Sequence, residues 1–139
     1  MIQVKVLNQD GKMPSRAHTD DAGWDLYTTI DAVLEVGERK LLPTGISMAI
    51  PKGYYGRIAD RSGNSFNLGL HVLAGVIDST YRAEIKVLLI NLSNKSVEIK
   101  IGHRIAQIII TSISNMQLTQ VDELDSTDRG VLGFGSSGR

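Results

Sequence analysis

Three short segments and the chain's tail hold the residues best suited to chemistry. Residues 56–63, GRIADRSG, run a short apolar stretch into a turn. There Arg61 offers a guanidinium, Ser62 a hydroxyl, and Ser62 and Gly63 accessible backbone amides. Such a set suits phosphate oxygens, because charged donors and oriented amides both favour anions. An exposed turn with a helix cap at Ser62 accounts for the same residues. Residues 75–82, GVIDSTYR, read as a hairpin between apolar arms at 70–77 and 85–90. Asp78 and Ser79 are ordinary turn formers. A carboxylate fixed at such a bend is also able to orient and deprotonate a water. Residues 102–107, GHRIAQ, open the most apolar run, and the amide of Gln107 inside it must find partners, in the protein or in a ligand. The tail adds two arginines, Arg129 and Arg139, one phenylalanine, Phe134, and small residues within 133–138 whose amides can approach an anion closely.

The composition narrows the chemistry. Cysteine is absent, which excludes a thiol nucleophile, thiolate metal ligation and a disulfide framework. The three histidines, His18, His71 and His103, fall in no nucleophile or metal-ligand spacing. A carboxylate acting on water is therefore favoured over a covalent route. Formal net charge is zero, from 15 basic and 15 acidic residues, which argues against a general nucleic-acid binder. The charge is unevenly spread: residues 51–110 hold 8 bases and 4 acids, while both flanks are net acidic. A cationic middle within a neutral chain suits a discrete anionic ligand.

These residues need elements to hold them. A length of 139 residues suggests one domain, able to bury a core without metal or disulfides. Fifteen Ile and ten Val against eight Ala lean toward strands. Period-2 alternation recurs at Ile2, Val4 and Val6, at Val97, Ile99 and Ile101, and at Ala83, Ile85, Val87 and Leu89. Further short runs lie at 32–36, 40–43, 46–50, 56–59 and 117–121, punctuated by Gly, Asn and Pro. Only residues 62–70 leave room for a helical turn. The pattern predicts an antiparallel all-β sandwich or barrel. Residues 87–90 and 106–110 are apolar on both faces, which points to a subunit interface or to cover by a loop of the same chain. No run approaches a membrane span or a signal-peptide core, so the expectation is an intracellular protein, cytoplasmic or nuclear, bound to no membrane. Residues 122–139 are polar and Gly-rich and read as a flexible arm beside a domain at 1–121.

Together and in this order, the segments resemble those of the trimeric deoxyuridine triphosphatases, the dUTP diphosphatases. Five motifs of that family have counterparts at 21–26 (DAGWDL), 56–63, 75–85 (GVIDSTYRAEI), 102–108 (GHRIAQI) and 129–138 (RGVLGFGSSG). The resemblance implies an antiparallel jelly roll of the β-clip type, assembled as a homotrimer, with each site built from three subunits and closed by the arm. It implies hydrolysis of dUTP to dUMP and pyrophosphate, which keeps uracil out of DNA and supplies dUMP for thymidylate synthesis. In that reading Asp78 activates the attacking water and Tyr81 lies under the deoxyribose. Gly75, Val76, Ile77 and Lys86 present backbone groups to uracil. Arg61, Ser62, Gly63 and Gln107 hold phosphates, and Arg129, Gly135, Ser136 and Ser137 close on the far end. Phe134 stacks on the base, and Asp25 meets Mg2+ on the triphosphate through water only. The chain departs from the family pattern at Asp60 (usually Pro), Asn64, Ala83, His103 and Leu132. The competing readings are a dCTP deaminase, alone or combined with the diphosphatase on the same fold, and a non-enzymatic β-sandwich binding protein. A deaminase requires a positioned carboxylate near the hairpin, and Glu84 is the only acid at hand.

Overall fold

The structure is a computed structural model describing residues 1–128, 130, 131 and 133. Among them the chain forms eleven strands and one helix. In order these are β1 (Gln3–Val6), β2 (Gly23–Tyr27), β3 (Ala32–Leu34), β4 (Arg39–Pro43), β5 (Ile46–Ala49), β6 (Tyr54–Ala59), α1 (Ser62–Leu68), β7 (Leu70–Leu73), β8 (Val76–Ile77), β9 (Lys86–Asn91), β10 (Val97–Ile99) and β11 (Arg104–Ser112). All strand pairs are antiparallel, as the alternation predicts. A four-stranded sheet runs β2-β11-β6-β8 and a three-stranded sheet runs β4-β9-β7, with ribbons β1-β5 and β3-β10 beside them. One buried cluster joins both sheets: Leu26, Ile58, Ala106 and Ile108 from the first, Leu42, Val72, Val87 and Leu89 from the second. No helix among the described residues is long and apolar enough to cross a membrane.

The two doubly apolar runs become β9 and β11, each an inner strand of its sheet. Their inward residues, such as Val87, Leu89, Ala106 and Ile108, are fully buried. Outward residues Leu88, Ile90 and Ile109 are half-buried. Leu88 lies in register with Leu41 and Leu73, and Leu41 remains 54% exposed. Nothing among the described residues fully covers that apolar row.

Three expectations are corrected. Residues 117–121 form no strand; Met116 and Leu118 there are almost wholly exposed, and apolar alternation alone pairs with nothing. Ser62 is the first residue of α1 rather than its cap. The cap position is Arg61, in extended conformation, with no side-chain capping bond. The hairpin at 70–90 is only half a hairpin. Leu70–Leu73 pairs with residues 88–91, but Ala74 (φ 59°) and Gly75 (φ 98°) then turn the chain into the other sheet. There β8 pairs with β6, not β9. A Cβ on Gly75 would lie 2.8 Å from the Ile58 carbonyl oxygen, so the crossing requires glycine on both steric and torsional grounds.

Candidate active site

Strand β11 sets one half of the site through an irregularity. Arg104 pairs with Tyr27 and Ala106 with Leu26, so Ile105 is an extra residue between them. In a regular strand, residues three apart face opposite sides. The bulge cancels one residue of alternation and puts Arg104 and Gln107 on the same face. It also buries both Ile105 and Ala106. A bulge leaves backbone acceptors unpaired by the ladder, and Asn64 of α1 supplies a donor: its Nδ2 bonds the carbonyls of Arg104 (2.9 Å) and Ile105 (3.3 Å). The departure at Asn64 thus ties α1 to the bulge. His103 serves the preceding turn, where its Nδ1 accepts the Lys100 amide at 3.2 Å. Nothing in the structure explains Ala83.

On this face lies a cleft of about 310 Å³, lined by residues including Arg16, Asp25, Arg61, Ser62, Gly63, Arg104 and Gln107. Asp25, on β2, is its hub. Its Oδ1 accepts Arg61 Nε at 2.7 Å, and its Oδ2 lies 3.3 Å from an Arg104 guanidinium nitrogen. Asp25 is 14% exposed and Arg61 25%, so this contact is shielded on both sides. Gln107 donates Nε2 to the Asp60 carbonyl at 2.7 Å. The glutamine lies so close to β2 that a Cβ on Gly23 would overlap its Oε1. Arg16 stacks 4.4 Å from the Trp24 ring centroid and donates to the Asp21 carbonyl at 3.0 Å. Three guanidiniums against two carboxylates, Asp25 and Asp21, with the first-turn amides of α1 nearby, leave the cleft cationic and suited to an anion.

The second half lies elsewhere in the chain. A hollow of about 310 Å³ is lined by Leu41, Ile58, Leu73, Tyr81 and Lys86, among others, and by residues 74–77. It shares no residue with the cleft. Strand β8 is the edge of its sheet. The Ile58 amide donates to the Gly75 carbonyl at 2.7 Å, so antiparallel alternation turns the Val76 N–H and C=O away from β6. Edge groups of this kind can pair with the rim of a planar base. Tyr81 is fixed beside them: its amide bonds the Asp78 carbonyl (3.0 Å) and its hydroxyl donates to the Glu84 carbonyl (2.9 Å), leaving the side chain 40% exposed. Arg82 donates to the carbonyls of Ser79 and Tyr81 and holds the loop closed.

Asp78 lines neither hollow. It is exposed, and among the described residues its carboxylate has no partner. Glu84, the other acid near the loop, is spoken for: its Oε1 accepts the Gly45 amide at 2.9 Å and its Oε2 lies 3.8 Å from Lys86 Nζ. The expected site residues therefore fall into two groups. Arg61, Ser62, Gly63, Gln107 and Asp25 share the cleft, and Gly75, Val76, Ile77, Tyr81 and Lys86 share the hollow. Arg129, Phe134, Gly135, Ser136 and Ser137, with the departure at Leu132, lie outside the described residues. The sequence reading missed Arg16 and Arg104. Arg16 carries no signal beyond its charge, and Arg104 required knowledge of the bulge.

The dUTPase family profile matches residues 9–138, almost the whole chain. The chain belongs to the dUTPase family. A deoxyuridine 5'-triphosphate nucleotidohydrolase of Nautilia profundicola is 45% identical over 140 residues, covering 99% of each chain. Among solved structures, a variant of the Staphylococcus bacteriophage 80alpha dUTPase with dUpNHpp superposes with TM-score 0.93 at 32% identity, covering 100% of this chain and 99% of that one. A variant dUTPase from S. aureus phage phi11, whose structure concerns coordination of a structural Mg(II) ion, matches with TM-score 0.84 at 28% identity, over 91% of this chain and 99% of that one.

Proposed function

We propose that this chain hydrolyses dUTP to dUMP and pyrophosphate in a homotrimer whose sites each join the cleft of one subunit to the hollow of another. The observation that carries the reading is the split itself: phosphate-type groups and base-type groups occupy separate hollows of one chain. A second copy supplies the missing half, and the uncovered apolar row around Leu41, Leu73 and Leu88 is a surface for it.

In the assembled site Asp78 takes the proton of a water as that water attacks the α-phosphate, and pyrophosphate leaves. Its carboxylate is suited to this because no group among the described residues occupies it. The edge of β8, with residues 75–77 and Lys86, reads the uracil rim through backbone groups. Cytosine reverses the polarity at N3 and position 4 and would leave buried groups unpaired. Tyr81 packs under the deoxyribose, its hydroxyl already engaged with Glu84. Arg61, Ser62, Gly63 and Gln107 bind the phosphates, with Arg104 and Arg16 adding positive charge.

No cluster of three potential metal ligands occurs among the described residues. Both Asp25 oxygens already meet guanidiniums. These residues fit Mg2+ carried on the triphosphate, with Asp25 reaching it through water. Bound there, the ion would supply counter-charge to the phosphates. Residues 122–139 form the arm that closes the site, with Arg129, Gly135, Ser136 and Ser137 on the terminal phosphates and Phe134 on the base. Engagement of Glu84 by Gly45 removes the carboxylate a deaminase would need.

A pyrophosphate-release assay over the deoxynucleoside triphosphates plus UTP tests the reading, with light scattering on the same sample. The expected result is turnover of dUTP alone by a trimer. An active monomer would overturn the shared site, and equal turnover of dCTP would overturn the base-reading edge.

A further inference from the structure

Asp60 follows the last residue of β6 and precedes Arg61, yet its side chain is turned toward β7. Its Oδ1 accepts the Val72 amide at 2.6 Å, and its Oδ2 lies 2.6 Å from His71 Nδ1. Its own carbonyl accepts Gln107 Nε2 at 2.7 Å. A single residue thus joins the phosphate cleft, through Gln107 and the peptide to Arg61, to the strand that leads toward the base-reading edge. Helix α1 has no side-chain cap and no acid in its first turn. Its start is therefore located by the residues that precede it.

We propose that Asp60, with His71 as its charge partner, is a positioning residue for the phosphate cleft. The inference rests on the reading of that cleft as a triphosphate site. Asp60 touches no phosphate. It fixes the Asp60–Arg61 peptide, and through it the Arg61 side chain and the amide of Gln107.

The pair contributes alignment more than stability. Its side chains are 52% and 32% exposed, and open ion pairs add little to folding. His71 is ringed by few charges. Arg57 of β6 lines the same small hollow as Asp60 and His71. Arg39 of β4 lies in the same cross-strand row through Ile90. Helix α1, SGNSFNL, brings no titratable group. The charge of the imidazole is thus set against one carboxylate and two guanidiniums. When His71 is protonated the contact is ionic. When it is neutral, only the tautomer with a proton on Nδ1 keeps the bond. Affinity of the cleft for phosphate should therefore differ between the two protonation states of His71.

The test compares the parent chain with Asp60→Ala, Asp60→Asn and His71→Gln. Binding of inorganic tripolyphosphate is measured by calorimetry, and KM and kcat for dUTP by pyrophosphate release, across the range in which imidazole titrates. Asp60→Ala should weaken tripolyphosphate binding about tenfold, the equivalent of one good hydrogen bond. KM should rise by a similar factor, with kcat and melting temperature close to the parent's. Asp60→Asn, which keeps an acceptor for Val72, should recover part of the loss. His71→Gln should remove the part of the pH dependence that the parent alone displays. Unchanged affinity in Asp60→Ala, a parental pH profile in His71→Gln, or a melting temperature that falls in step with affinity would each overturn the proposal. Should Asp60→Ala fail to fold, His71→Gln decides alone, since it leaves the Val72 bond intact. If no variant turns over dUTP but tripolyphosphate affinity still follows the pair, the substrate reading fails and the positioning role stands.

Discussion

Asp25→Asn separates two roles that a carboxylate can have in an anion cleft. If Asp25 mattered only through its charge, removing that charge would leave three guanidiniums against Asp21 alone, and triphosphate would bind more tightly. If it aligns Arg61, the same change would loosen the guanidinium and weaken binding. The geometry favours alignment. The Arg61 contact is 2.7 Å long, with side chains 25% and 14% exposed, so it is a shielded charge-assisted bond. Such bonds contribute about 1.5–3 kcal/mol. The Arg104 contact is longer, at 3.3 Å, with the arginine half in solvent; after screening it adds well under about 1 kcal/mol. Asparagine keeps one neutral acceptor for Arg61. The net loss should therefore be about 1–2 kcal/mol, or about 3–6 °C in melting temperature for a chain of this length. The ratio kcat/KM for dUTP should fall about tenfold, and tripolyphosphate affinity with it. Calorimetry and turnover on the same preparation check this. An Asn variant that binds tripolyphosphate more tightly than the parent, at parental turnover, would refute the alignment argument.

Asp78→Asn should keep the assembly and bind a non-hydrolysable dUTP analogue normally, while turnover falls about 10²- to 10⁴-fold; near-parental turnover would exclude Asp78 as the base. Tyr81→Ala should narrow the preference for dUTP over UTP, which an unpaired 2′-hydroxyl at about 1–3 kcal/mol sets at about 5- to 150-fold; the ratio of kcat/KM values for the two substrates reads it. The Glu38 carboxyl is held below its ordinary range, first by the Glu35 amide and then by Lys40. A depressed folded-state value stabilises above the unfolded value and is lost as pH falls through the folded one. Glu38→Gln should therefore lower the melting temperature slightly at neutral pH and not at all in strong acid, as a melting series in pH would register.

The strands were legible wherever one face is buried and the other wet. Val97 and Ile99 alternate with Glu98, and the side-chain period of two is visible in the letters. The short run at 117–121 misled, because such a run reports a strand's preference for a partner and not the presence of one. Strand β2 went unread because it is short and mixes Asp25 and Trp24 with its core residue Leu26. In the site, Arg61, Ser62, Gly63 and Gln107 could be paired with anion chemistry by type alone. Arg104 could not, since its face depends on one inserted residue, Ile105, whose bulge appears only in the pairing register. Adjacency along the chain sets the Asp60 carboxylate beside Arg61; the fold turns it to His71 and Val72 instead.

Trp24 is the only tryptophan in the chain. The Arg16 guanidinium covers its ring, and the indole also borders an apolar hollow with Ile2, Met13, Met48 and Ile110. Arg16 lines the phosphate cleft. The protein therefore carries a built-in fluorophore in cation–π contact with a residue of the cleft. An anion that draws Arg16 off the ring changes the emission spectrum without any label, so occupancy of the cleft can be followed by light in the unmodified protein, on the timescale of mixing.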